Sequence, residues 1–168
     1  MVTHGYVVFK YKGIYYTFYN HSDSYFEGLG NMLVTDIYNM INKGKMFYYK
    51  ELLLRVPLKG NEDGEMHVHE LEYILKYPEY SQYFTSRTEP ISEYTYTIDF
   101  DNNKFIANKY SENIYSFNLH DIPLDWYEIT QNNSSYEDHD QDEDTNESIL
   151  NKIEELNNEI EKLKLKLK

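Results

Sequence analysis

The densest set of side chains able to do chemistry is Asn20-His21-Ser22-Asp23-Ser24-Tyr25, which holds a base, an acid and a nucleophile in one short stretch. A His or Asp beside a Ser hydroxyl is the equipment of acyl transfer, provided that the groups converge on one point. Adjacent loop residues seldom all converge, and the plainer reading is a polar turn. Gly28-Leu-Gly30 follows directly. Two glycines ahead of a helix resemble an anion-binding turn, but no third Gly and no P-loop Lys accompany them, so a turn feeding a helix N-terminus explains them equally well. Asn20, His21, Asp23, Ser24, Tyr25, Gly28 and Gly30 form a candidate ligand or partner loop, and no residue is assigned as catalytic.

Two further groups carry ligand-type chemistry. His67-Val-His69-Glu70 offers donors suited to zinc and similar divalent ions. On a helix, residues two apart point in different directions, and the position four beyond His67 is Leu71, so no set is completed. In an extended segment both rings would share one face. The surface start of a helix is the reading adopted, with no metal and no cofactor expected. Asp99, Asp101, Asn102 and Asn103 resemble fragments of a calcium loop, yet the central Gly and the final Glu at the required spacing are missing, and a hairpin turn fits better.

The elements that would position these groups can be read from periodicity. Tyr6 to Tyr11 and Ile14 to Tyr19 are β-branched and aromatic runs separated by Lys12-Gly13, which predicts a β-hairpin. Both faces of these strands are apolar, so a central place in a sheet with cover on either side is expected. His21 to Gly30 reads as a loop. A helix is predicted over about Asn31 to Asn42, with Leu33, Ile37, Met40 and Ile41 on one face and a stop at Gly44. Lys45 to Arg55 reads as a second helix, although Leu52-Leu53-Leu54 also suits a buried strand; Pro57 ends it either way. Val68, Leu71, Ile74 and Leu75 predict a third helix over His67 to Lys76. From Glu93 the period changes to two, giving a second hairpin through Asp101-Asn-Asn103, and Tyr115 to Leu119 reads as a further strand.

Composition narrows the function classes. The chain of 168 residues has 19 Tyr and no Cys, so the core must use rings that carry hydroxyls, and neither disulfides nor thiolate metal sites are available. Its formal charge of −13 arises in both parts: residues 1–136 carry 18 acids and 11 bases, and residues 137–168 carry 11 and 5. That balance repels phosphate backbones, so no nucleic-acid partner is expected. No secretory leader and no membrane-length apolar run is legible, and a soluble protein in the cytoplasm is expected.

From Thr130 to Glu147 the sequence is Asn, Ser, Asp and Glu without a buried period, the composition of a disordered linker. Beyond it Ile149, Ile153, Leu156, Ile160, Leu163 and Leu167 recur at alternating spacings of four and three. This is a coiled-coil seam. Ile at a and Leu at d favour a parallel dimer, and Glu159 at g can meet Lys164 at e of a partner. The competing reading is a helix that folds back onto its own body.

The motifs Thr3-x-Gly5-Tyr6, Phe9-x-Tyr-Lys-Gly13, Phe18-Tyr19-Asn20-His21-x-Asp23-Ser-Tyr25 and Gly28-Leu-Gly30 resemble the opening of a family of unassigned role found in fungi and in giant DNA viruses of amoebae, such as the mimiviruses. Ile98-Asp99-Phe-Asp-Asn102, Phe105, Ile122-Pro123 and Trp126 are similar to that family's second half. The resemblance covers about Met1 to Trp126 and implies a viral protein of the host-cell cytoplasm. Many members open Met-Cys-Thr-Arg-Gly, similar to N-terminal-nucleophile hydrolases. Here position 2 is Val, Thr3 lies one residue further in, and His4 replaces the basic residue, so that mechanism is not expected to operate.

The expectation is an α+β body over 1–129 with a mostly antiparallel sheet and about three helices, an acidic linker over 130–147 and a coiled-coil helix over 148–168. The expected function is that of a non-enzymatic homo-oligomer with a partner-binding body. The alternative is a hydrolase-like or small-ligand-binding domain using the Asn20 to Tyr25 loop.

Overall fold

The first two strands, β1 (Gly5–Tyr11) and β2 (Ile14–Asn20), pair antiparallel around Lys12 and Gly13, both in the left-handed region as a tight two-residue hairpin requires. A computed structural model describes residues 2–134 of the chain. The proposed coiled-coil positions Ile149, Ile153, Leu156, Ile160, Leu163 and Leu167 lie outside the described residues.

The hairpin joins a six-stranded sheet of order β3-β2-β1-β4-β5-β6, with β3 (Tyr83–Ser86), β4 (Tyr94–Asp99), β5 (Lys104–Lys109) and β6 (Glu112–Asn118). Within this sheet β1 and β4 run parallel and the other four strand pairs are antiparallel. Because β1 and β4 are parallel neighbours, their hairpin turns lie at the same end of the sheet. There the Asp101 carboxylate accepts the backbone N–H groups of Lys12 (2.7 Å) and Gly13 (3.0 Å). Asp99, almost fully buried, accepts from the Asp101 and Asn102 backbones, the Asn102 side chain and Lys10 Nζ. Burial pushes its carboxyl up, but the bonds from Asn102 and Lys10 outweigh it and hold it below the usual range. The aspartates and asparagines of this turn are therefore structural, as a hairpin turn predicts.

The described residues hold four α-helices rather than three. The first, α1 (Asn31–Asn42), continues from a π-helical turn, Phe26–Gly30, and ends as predicted at Gly44. Gly44 N–H reaches Ile41 O and Lys45 N–H reaches Met40 O, which caps the last turn through a left-handed glycine. The second, α2 (Met46–Arg55), closes where Val56 turns extended ahead of Pro57. The third, α3, covers only Leu71–Lys76. The fourth, α4 (Trp126–Ser134), carries regular structure past the expected body end at Ile129, with Thr130 buried.

One core cluster joins the helices to one face of the sheet. Val7, Phe9, Phe18, Tyr96, Ile98 and Phe105 meet Leu33, Ile37, Met40, Leu53, Leu71, Ile74 and Trp126, all 0–1 % exposed. Alternation sends Tyr6, Val8 and Lys10 to the other face, beside Thr17 and Thr97. Val8 is fully buried yet stands outside that cluster. The expected central place of β1 is met, whereas among the described residues the helical core covers one face. No helix among the described residues is long and apolar enough to cross a membrane.

Candidate functional site

The loop that follows β2 divides at its first step. Strand alternation puts Tyr16, Phe18 and Asn20 on the helix-covered face, and Tyr19 on the other with His21 beyond it. Asn20 and His21 consequently diverge, so the base and the inward polar groups never face one another.

Asn20 and Ser24 turn into the protein, 5 % and 0 % exposed. Asn20 Nδ2 donates to Ser22 O and to Ser24 Oγ (2.9 Å), while Asn20 Oδ1 accepts Val68 N–H (2.9 Å). Ser24 Oγ donates back to Asn20 O (3.4 Å), its N–H donates to Thr3 Oγ1 (2.9 Å), and its carbonyl accepts the Tyr96 hydroxyl (2.6 Å). Burial drives the Tyr96 hydroxyl well above its ordinary value, so it stays a donor. A nucleophilic serine needs a base at its oxygen and room for an acyl group. Ser24 has an amide for a neighbour and no exposed surface.

The rest of the loop is a compact turn. Asp23 adopts a left-handed backbone (φ 54°), its side chain is exposed, and its carbonyl accepts Leu29 N–H at 2.9 Å. Tyr25 is also exposed; its carbonyl accepts Gly28 N–H at 3.1 Å. A Cβ on Gly28 would stand 2.5 Å from Asp23 O, so close backbone approach requires this glycine. Gly30 is buried against Tyr96 and Trp126, and the Trp126 indole N–H donates to Phe26 O at 2.8 Å. These glycines serve packing.

On the other face, two residues outside the candidate loop complete a cluster with His21. His4 Nδ1 lies 2.7 Å and His21 Nδ1 3.0 Å from the Tyr19 hydroxyl, and the two imidazoles stand 4.8 Å apart, edge to face. A phenol has one proton and can accept as well as donate, so with both imidazoles neutral one Nδ1–H donates to Tyr19 while the Tyr19 O–H donates to the other ring. Burial, with Tyr6 adding to it, raises the Tyr19 hydroxyl above its ordinary value and keeps this donor in place. His67 is a further ring 6.5 Å from His21. Tyr6 packs edge to face on Tyr19 and on Phe84, and these three rings line a cleft of about 630 Å³ with Glu62, Asp63 and Gln82. The hairpin register carried the missing signal: pairing Gly5 with Asn20 makes His4 and His21 neighbours, with Tyr19 two residues before His21.

His67 and His69 do not lie on a helix. The segment from Asn61 to Glu70 makes single bridges, Asn61 to Tyr83 and Glu65 to Ser81, and α3 starts only at Leu71, whose N–H is received by Asp36 of α1 at 3.1 Å. Tertiary partners displaced the helix start that periodicity predicts. His69 Nε2 pairs with exposed Glu65 at 2.8 Å, and among the described residues no group of three or more His, Asp or Glu is placed to hold a metal ion. Comparison with protein-family models, with curated proteins and with solved structures finds no match to this chain.

Proposed function

We propose that this chain is a non-enzymatic, self-associating protein: its tail pairs in a parallel dimer through Ile149, Ile153, Leu156, Ile160, Leu163 and Leu167, and its body binds a partner. The observation that carries the non-enzymatic half is the saturation of Asn20 and Ser24 by the fold itself, which encloses the Ser24 hydroxyl on the opposite side of the sheet from the His21 ring. The dimer rests on the heptad spacing alone. A resemblance to proteins of giant DNA viruses supports placing it in the cytoplasm of a host cell.

Light scattering on the full chain tests the self-associating half. The wild-type protein should have twice the chain mass, and Ile153→Glu with Leu156→Glu in the same chain should halve it. A wild-type monomer at high concentration, or a doubly substituted dimer, ends this reading.

A second reading, a small-ligand-binding domain, is favoured by the histidines that gather around Tyr19 beside the Tyr6–Phe84 cleft. It requires that a ligand shift the ring resonances of His4 and His21 in NMR spectra. Unmoved rings across a panel of carboxylates, nucleosides and sugars leave the partner-binding reading alone.

A further inference from the structure

α3 and the 3-10 turn after it, Pro78–Tyr80, carry a continuous row of rings on their outer side. Leu71, Ile74 and Leu75 face the core, Tyr73 stands on the exposed side of α3, and His69 just before the helix and Tyr77 just after it carry the row on to Tyr80. Ring centroids step 5.2 Å from His69 to Tyr73, 5.3 Å to Tyr77 and 6.3 Å to Tyr80. Tyr73 and Tyr77 are each 39 % exposed and Tyr80 54 %. Each ring therefore keeps a solvent-facing part along one line.

The angles between the rings narrow the choice of occupant. Successive planes are inclined at 71°, 56° and 42°, so the row offers ridges with notches between them rather than a flat platform. A nucleobase or a sugar stacks best on a ring face. Notched rows of aromatic rings instead suit the pyrrolidine rings of a polyproline II helix, which has three residues per turn and pays little ordering entropy on docking. At ~3.1 Å per residue, the row has room for about five residues of such a helix.

Charge fixes the sign of the partner. Residues 61–80 contain six acids (Glu62, Asp63, Glu65, Glu70, Glu72 and Glu79) against one base, Lys76. All of these acids except Glu72 are exposed. The pairing of Glu65 with Ser81, and the bond from Glu65 N–H to Tyr80 O (2.7 Å), hold the acidic segment alongside the end of the row. Lys76, the one base of the segment, lies over the Tyr77 ring at 5.8 Å.

We infer that the His69–Tyr73–Tyr77–Tyr80 row, with its acidic border, is a docking surface for a basic, proline-rich peptide segment of a partner protein. The inference rests on the partner-binding reading of the body and names its surface.

The full-length protein, titrated by calorimetry with a synthetic peptide of Pro-Pro-Arg repeats about ten residues long, tests it. Binding is expected, weakening as salt is added. Tyr77→Ala and, separately, Tyr80→Ala should each reduce affinity about tenfold, with an unchanged circular dichroism spectrum and a retained cooperative melt to show that the fold survives. Three comparison ligands complete the test: a Pro-Pro-Glu peptide, a Gly-Gly-Arg peptide of equal charge and a single-stranded oligonucleotide. All should bind far more weakly. Equal binding of the Gly-Gly-Arg peptide would reduce the site to charge alone, tighter binding of the oligonucleotide would assign the row to bases, and no binding of the Pro-Pro-Arg peptide would remove it; each overturns the inference. Light scattering on the same samples keeps the outcomes apart, because a dimer that ignores the peptide loses this surface while retaining self-association.

Discussion

Two segments of this body are rich in the same residue types and use them in opposite ways. The Asn20–Tyr25 loop turns its amide and one hydroxyl inward, where every side-chain polar atom of Asn20 and Ser24 has a partner within the protein. The His69–Tyr80 segment turns an imidazole and three phenols outward, where they touch one another, Glu65 and Lys76 and keep part of their surface exposed. A sequence search for reactive residues ranks the first above the second. Accessibility reverses the order, because a side chain already saturated in the interior has neither the freedom nor the solvent access that binding or catalysis demands.

The sharpest way to break this contrast is to remove Asn20. Asn20→Ala takes the acceptor from Val68 N–H and the amide donor from Ser24 Oγ, while Ser24 keeps its bonds to the residue-20 carbonyl, Thr3 and Tyr96, and should cost about 2 kcal/mol in urea unfolding. A loss below ~1 kcal/mol would mean that the loop is not integral to the fold.

Tyr96→Phe is the next step down. It deletes the 2.6 Å bond to Ser24 O and should cost about 1.5 kcal/mol. The same hydroxyl contributes to the loss of stability at alkaline pH, together with Tyr16, Tyr19, Tyr49 and Tyr83, which burial also raises. Its folded pKa lies well above the ordinary value of 10.0, so once pH passes 10 the unfolded chain ionises Tyr96 and the folded chain does not. Stability should therefore fall as pH rises beyond 10, and less steeply in Tyr96→Phe; identical slopes in urea series at pH 9 to 11 would contradict the buried hydroxyl.

The outward segment depends on Asp36, which receives the first N–H of α3. Burial pushes the Asp36 carboxyl up, the Leu71 N–H pulls it down and Glu70 adds a smaller push upward, with a net rise. A raised carboxyl favours the protonated folded state, so its contribution weakens as pH climbs from the unfolded value of 3.8 through the folded one. Asp36→Asn retains an acceptor without the charge and should cost less at pH 7 than Asp36→Ala, which we place at about 1 kcal/mol in thermal unfolding. Equal costs would assign the effect to charge rather than to the bond.

The smallest stability change belongs to the row itself. Tyr77→Ala should cost less than about 1 kcal/mol, since its ring is 39 % exposed and gives up only its contacts with Tyr73, Tyr80 and Lys76. A much larger loss would make the row part of the core and erase the contrast.

Legibility followed the range of the forces involved. The first hairpin, α1 with its stop at Gly44, and the second hairpin were all readable, because each is set by neighbours a few residues away: Lys12-Gly13 at one turn, Asp99 to Asn103 at the other, and a 3.6-residue period between Leu33 and Met40. The start of α3 was not, since distant Asp36 receives Leu71 N–H while Asn20 and Tyr80 receive N–H groups of the preceding segment. β3 went unread because four residues of mixed character make a strand only when β2 lies beside them. Of the candidate loop, the residues were visible and their directions were not: one step of strand alternation separates Asn20 from His21. His4 and Tyr19 became partners of His21 only through the hairpin register.

The sequence alone determined composition, charge, the local turns, the amphipathic helices and the heptad spacing of the tail, because these depend on residue identity and on contacts within a few positions. The tertiary structure decided which polar side chains are enclosed and which face water. That choice belongs to hydrogen bonds such as Tyr96 to Ser24 and Val68 to Asn20, which join residues far apart in the chain and exist only once the sheet has assembled.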